Sequence, residues 1–308
     1  MDYIKIARPD HWFKNVFVLP GIFLGLLVNR SLPGTSEVLM IFYGLFIVCL
    51  AASTNYVINE IMDAESDKHH PKKKHRPIPS GRVKKSSAFL VWIGLLFLSL
   101  FLASTVNQKF LIITVVFILQ GLLYNIPPFR TKDLPYMDVI TESVNNPIRL
   151  LLGWFLVVTE TFPTLSLILA YWMIGAFFMG SKRYAEFVMI NNPSRAAAYR
   201  SSFKYYSKNK LLISNFYYAC LFSFFMGIFL IRYRVELIFA IPNIALVIAY
   251  YLRMSFLPDS PVQTPELLYK NRLFVAILFS CLAVIVLFFF VDVPFVRELF
   301  APVAPYYP

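Results

Sequence analysis

Glu37-Val-Leu-Met-Ile-Phe-Tyr-Gly-Leu-Phe-Ile-Val-Cys-Leu-Ala-Ala-Ser-Thr-Asn-Tyr-Val57 is almost free of charge, and Ile58-Asn59-Glu-Ile-Met-Asp63-Ala-Glu-Ser-Asp67 closes it with carboxylates. The first part is long enough to cross a bilayer as helix, which takes about 20 residues. Working outward, similar apolar runs occupy roughly 15–33, 86–106, 109–126, 137–158, 162–181, 211–231, 235–254 and 272–291, so with 37–57 the sequence predicts nine membrane spans. The 308 residues are 58% hydrophobic and only 15% charged, with a mean hydropathy of +0.63. A soluble chain carries roughly a quarter charged residues, so soluble, disordered and disulfide-scaffold classes are excluded. The expected fold is an all-α bundle, a single polytopic membrane domain over 1–308. Residues 1–14 form an interfacial amphipathic segment, and 59–85, 124–138 and 182–210 form polar loops.

The net charge of +12 comes from Lys and Arg gathered on one side of the predicted spans. Lys5, Arg8 and Lys14 precede the first span, Lys68 to Lys85 follow the second, Arg130 and Lys132 the fourth, and Lys182 to Lys210 the sixth. Basic residues in loops between spans set topology, which puts the N-terminus and the long loops in the cytoplasm and points to anionic lipids rather than nucleic acid. Cys49, Cys220 and Cys281 all sit in apolar runs and read as small buried hydrophobes.

Ionisable groups at the edges of spans are costly and are functional candidates. Asn59, Asp63 and Asp67 recur every fourth residue and share one helix face. Such an oxygen-rich face suits Mg²⁺, which takes one or two carboxylates and completes its shell with water and phosphate oxygens. The plainer reading is an acidic helix end balanced by the lysines that follow. Lys73 and Arg76 come next, in a segment stiffened by Pro77 and Pro79, and rigid cations beside a metal face match a diphosphate. Asp138, Glu142, Asn146 and Arg149 advance by four, four and three residues, a second stripe pointing into the bundle. Its alternative is an internal ion pair, Glu142 with Asn146 and Arg149, that locks helix register. Lys182 and Arg183 either reach a cavity or snorkel to the interface. His11, His69, His70 and His75 have no zinc-ligand spacing, and no glycine-rich phosphate loop occurs.

Asn59-Glu-x-x-Asp63-x-x-x-Asp67, the Lys/Arg-Pro segment after it, and Tyr124…Lys132…Asp138 resemble the two aspartate-rich motifs of the UbiA-type intramembrane prenyltransferase superfamily. Ala7-Arg-Pro-Asp-His-Trp-Phe-Lys14-Asn15, Asp67-x-x-His-Pro-x-Lys73-x-x-Arg76-Pro-Ile78 and Ser181-Lys-Arg-Tyr-Ala-Glu186, with Tyr199-Arg-Ser-Ser-Phe203 downstream, are most similar to its decaprenyl-phosphate phosphoribosyltransferase branch. Glu60 stands where the family usually has Asp, and Tyr-Asn-Ile-Pro-Pro-Phe-Arg-x-Lys looks more like the general superfamily.

The resemblance implies nine helices around a central cavity and Mg²⁺-assisted transfer of a phosphoribosyl group from phosphoribosyl diphosphate to a polyprenyl phosphate, for cell-envelope glycan synthesis at the inner membrane. It implies Asn59, Asp63, Asp67 and Asp138 as metal ligands, with Asp63, Asp67, Asp138 and Glu142 catalytic. Lys14, Asn59, Lys73, Arg76, Tyr124, Lys132, Arg149, Lys182 and Arg183 would bind substrate. Two rivals keep the same groups: a prenyl diphosphate donor with an aromatic acceptor, and a lipid-phosphate transporter. Association into a homo-oligomer stays open.

Overall fold

The computed structural model describes residues 2–29, 33–68, 73–190 and 192–300, so His69 and His70 lie outside the described residues. Among these, eight helical stretches are long and apolar enough to cross a membrane: 2–29, 35–67, 85–104, 108–125, 165–190, 208–233, 235–255 and 272–290. Each matches a predicted span. The chain forms two compact units, one comprising 1–163 with 197–205 and the other 164–196 with 206–308.

The first unit carries α1 (Asp2–Ile6), α2 (Leu19–Asn29), α3 (Thr35–Asp67), α4 (Lys85–Ser104), α5 (Gln108–Asn125), α6 (Met137–Ser143) and α7 (Asn145–Phe155). A tight 3-10 stretch, Pro9–Val18, leads into α2. Helix α3 packs on α4 and α5, and α2 packs on α7, around Ile47, Val48, Phe110, Phe117, Leu152 and Phe155. The second unit holds α8 (Leu165–Ile190), most of a short α9 (Pro193–Tyr199), α10 (Lys208–Tyr233), α11 (Ile241–Ser255), α12 (Arg272–Phe290) and α13 (Pro294–Leu299), with α8 against α10 and α11 against α12. Phe279 and Phe290 on α12 are exposed, as a lipid-facing surface requires.

The fifth predicted span, 137–158, is not one helix. It breaks at Val144 into α6 and α7. Pro147 explains the break: its ring removes a backbone donor and clashes with the carbonyl four residues earlier, that of Ser143, the last residue of α6. Carbonyls next to the break find other donors, Gln120 Nε2 for Thr141 and Asn145 Nδ2 for Glu142. Irregular backbone at membrane depth survives only when so satisfied. The expected stripe of Asp138, Glu142, Asn146 and Arg149 is therefore divided between two helices, and its two ends meet different partners.

Helices α2 and α7 approach backbone to backbone. A Cβ on Gly21 would come 2.0 Å from the Leu150 carbonyl oxygen, and one on Gly153 would come 2.1 Å from that of Val18. Backbone cannot give way as a side-chain tip can. Gly153→Val should cost more than the ~3 kcal/mol usual for overpacking. Its thermal unfolding in detergent should fall well below wild type, and an unchanged midpoint would refute the close approach.

Candidate active site

The polar end of α3 is assembled within the first unit. Asp63 Oδ1 accepts from Lys132 Nζ at 2.5 Å and from Arg130 Nη2 at 2.9 Å, and its Oδ2 accepts from Asn59 Nδ2 at 3.3 Å. Asn125, at the end of α5, ties these together: its Oδ1 accepts from Asn59 at 2.6 Å and from Lys132 at 2.9 Å. Arg130 also donates to the Asn125 carbonyl and to Asp133. Its φ of 32° is left-handed, a conformation that costs a non-glycine residue about 1–3 kcal/mol and persists where surroundings over-determine it.

One turn on, Asp67 Oδ2 accepts from Arg76 Nη1 at 2.6 Å and its Oδ1 pairs with Lys73 at 3.7 Å. The Lys73 ammonium lies 5.7 Å from the Tyr199 ring centre and feels the charges of both Asp63 and Arg200. Arg200 in turn pairs with Asp138 Oδ2 at 3.6 Å, which also accepts from Ser202 Oγ at 3.1 Å. Asp138 is fully buried. A run of charged groups thus extends from Asp63 and Asp67 through the neighbouring cations Lys73 and Arg200 to Asp138. Burial pushes Lys132 and Lys73 below the usual lysine range, with Asp63 and Asp67 respectively opposing it, and burial likewise lowers Arg76.

Among the described residues, no three His, Cys, Asp or Glu side chains converge as an all-protein metal cage. The donor set of Asn59, Asp63 and Asp67 nonetheless fits Mg²⁺, because that ion shares its shell with substrate phosphate oxygens and needs only one or two carboxylates.

The other expected residues fall in different places. Tyr124 is buried on α5, and Glu142 is half-buried on α6. Arg149 donates through Nε to Asn15 at 3.1 Å and lies 5.0 Å from the Phe117 ring centre, so in place of the alternative ion pair with Glu142 it meets an amide and an aromatic face. Lys14 lies 6.0 Å from the centre of the Tyr56 ring. Lys182 and Arg183 belong to the second unit, inside α8 rather than at its end, and Arg183 pairs with Glu186 at 3.1 Å.

Sequence reading missed Arg8, Asn15, Asn125, Arg130, Arg200 and Ser202. All six sit inside quoted motifs, but nothing in the spacing tells which members of a motif meet Glu60, Asp63, Asp138 or Arg149. Glu60 is buried and serves as a brace: it pairs with Arg8 at 3.0 Å and accepts from the Ile78 backbone N–H at 3.1 Å. It fastens both the N-terminal segment and the Pro-rich segment carrying Arg76 to α3.

Residues 17–278 match the profile of the UbiA prenyltransferase family. Decaprenyl-phosphate phosphoribosyltransferases of Mycolicibacterium smegmatis and Mycobacterium tuberculosis are 30% identical over 211 residues and 32% over 212. Each alignment covers 68% of this chain, spanning 63% of the first relative and 67% of the second. A UbiA homolog from Archaeoglobus fulgidus, solved bound to DMAPP and Mg²⁺, has a similar fold: TM-score 0.66 and 20% identity, covering 92% of this chain and 99% of that one.

Glu60→Ala leaves the part-buried Arg8 without its carboxylate, which costs less than the ~3–5 kcal/mol of breaking a fully buried pair but still destabilises. The variant should unfold earlier and be cut faster by trypsin within 73–85. Equal cleavage rates would remove Glu60 from this bracing role.

Proposed function

We propose, from the premise that the chain belongs to the UbiA prenyltransferase family, that this integral membrane protein transfers a 5-phosphoribosyl group from phosphoribosyl diphosphate to a polyprenyl phosphate. The site is taken to face the cytoplasm at the inner membrane, where the basic loops lie. The observation that carries the reading is the interleaving at the end of α3. Asp63 and Asp67 supply metal-ligand oxygens, and Lys73, Arg76, Arg130 and Lys132 bracket the same face with charges for phosphoryl oxygens. The names of the two mycobacterial relatives favour the phosphoribosyl donor over a prenyl one. Arg200, held by Asp138 and near Lys73, adds a cation suited to a donor that carries a further phosphate.

Asn59, Asp63 and Asp67 would hold Mg²⁺, which neutralises diphosphate charge and makes it a better leaving group. Lys132 and Arg130 would divide their hydrogen bonds between Asp63 and phosphoryl oxygens, and Lys73 and Arg76 between Asp67 and phosphoryl oxygens. The ribose C1–O bond breaks with its electron pair leaving on diphosphate, and an acceptor phosphate oxygen bonds to C1. That oxygen is already anionic, so no general base is needed. Asp138 would act through Arg200, and Glu142, half-buried on α6, would stabilise positive charge on the ribose ring. Catalysis of this kind is positioning and fixed electrostatics.

Purified protein with Mg²⁺ and labelled phosphoribosyl diphosphate should yield a lipid-soluble product only with polyprenyl phosphate. A product formed instead from prenyl diphosphate and an aromatic acid would transfer the reading to that donor. Retained lipid binding with no product in either reaction would favour transport. Asp63→Asn should lower kcat about 10²–10³-fold, the loss typical of one preorganised electrostatic contact. Full activity in that variant would overturn the metal assignment.

The lowered pKa values of Lys73 and Lys132 give a second test. Above them but below the ordinary lysine range, the unfolded chain binds more protons than the folded one, so these two groups contribute more stability as pH rises. Over the same window the site loses positive charge. Affinity for inorganic diphosphate with Mg²⁺ should therefore decline at alkaline pH without a matching loss of stability from these lysines. Affinity flat up to the ordinary lysine range would contradict it.

A further inference from the structure

We infer that Arg149 and Lys14 form a separate subsite for the phosphate of the lipid acceptor, with Asn15 positioning the guanidinium. The inference rests on the acceptor class proposed above and adds where its headgroup binds.

Arg149 is only 8% exposed and sits on α7 among membrane-spanning helices. A buried guanidinium that merely braces a fold is normally met by a carboxylate, because an unpaired buried charge is costly. Among the described residues Arg149 makes no ion pair. Its polar partner is the neutral Asn15 amide oxygen, bonded through Nε, and Asn15 is itself buried and held in turn by donating to Cys49 Sγ at 3.2 Å. The Phe117 ring covers one face of the guanidinium. Nη1 and Nη2, the fork that receives phosphate or carboxylate side by side, make no hydrogen bond to any described residue and are not sealed in packing. One edge of the group is fixed, one face is covered, and the anion-binding edge is left for something else.

The position fits an acceptor. Tyr56 precedes Asn59 by three residues, so on α3 it lies on the same face as Asn59, Asp63 and Asp67, about 4.5 Å deeper along the axis. Arg149 and, more weakly, the Glu142 carboxylate act electrostatically on Tyr56, and the Lys14 ammonium lies 6.0 Å from its ring centre. Two cations thus flank the rung just below the proposed donor platform. Among the described residues no carboxylate pairs with Arg149, so it matches a phosphate without a metal, whereas Asp63 and Asp67 suit one that brings a metal.

The test uses full-length protein in lipid nanodiscs with polyprenyl phosphate and, as a neutral probe, the corresponding polyprenol. Arg149→Gln should raise the acceptor KM by about tenfold or more, as loss of a charged contact does, while donor KM stays within about twofold. Arg149→Lys should recover part of the loss. Asn15→Asp is decisive if Arg149→Gln does not fold: it supplies the missing counter-ion, so a bracing arginine would be stabilised, whereas an anion-binding one would be occupied and acceptor affinity would drop. Unchanged acceptor KM in folded Arg149→Gln or Asn15→Asp protein would overturn the inference, and so would an equal rise in donor KM. Should wild type transfer no phosphoribose at all, equilibrium binding separates the two ideas. A preference for polyprenyl phosphate over polyprenol that Arg149→Gln abolishes supports the subsite without the reaction, and no preference in wild type refutes it.

Discussion

The contact on which the site depends is that of Asp63 with Lys132 and Arg130. A carboxylate at the end of a membrane helix is held there only if its charge is answered, and both answering cations come from the short segment after α5. That segment is bound from both sides. Asn125 accepts from Lys132 and from Asn59, while Arg130 adopts a left-handed φ to reach Asp63, Asp133 and the Asn125 carbonyl together. Backbone strain, amide bridges and ion pairs converge on one carboxylate. Distorting any of them would shift the others.

The same economy explains Glu60. It lies next to Asn59 on α3 but a hundred degrees round the helix, facing Arg8 and the Ile78 amide rather than Asp63. The carboxylate end of α3 is therefore divided by angle: one side carries Asn59, Asp63 and Asp67, and the adjacent side anchors the segment that delivers Arg76 and Lys73. Replacing a family aspartate by the longer glutamate at this position keeps a carboxylate where a brace is needed.

The spans were legible because a bilayer admits only segments that satisfy their own backbone, which turns hydropathy into helices almost directly. The break at Val144 was less so. Averaged over twenty residues, 137–158 is apolar enough, and the effect of Pro147 is local. Helical spacing put Asn59, Asp63 and Asp67 on one face, but it says nothing of partners distant in the chain, such as Lys132 for Asp63 or Ser202 for Asp138. Nor could it reveal that Arg149 turns to Asn15, which lies in a segment whose 3-10 geometry hydropathy does not encode.

A two-substrate reaction between anions poses an electrostatic problem that this arrangement addresses. A metal able to polarise one phosphate group can equally bind the other, and a metal-bound acceptor oxygen is a poorer nucleophile. Carboxylates attract divalent cations, whereas guanidinium and ammonium groups repel them. In the proposed reaction, with Asp63 and Asp67 at the mouth and Arg149 and Lys14 about a turn deeper, the metal would be drawn to the diphosphate and away from the attacking oxygen. Asn15 is an apt partner for the guanidinium for the same reason: an amide oxygen orients it without cancelling its charge.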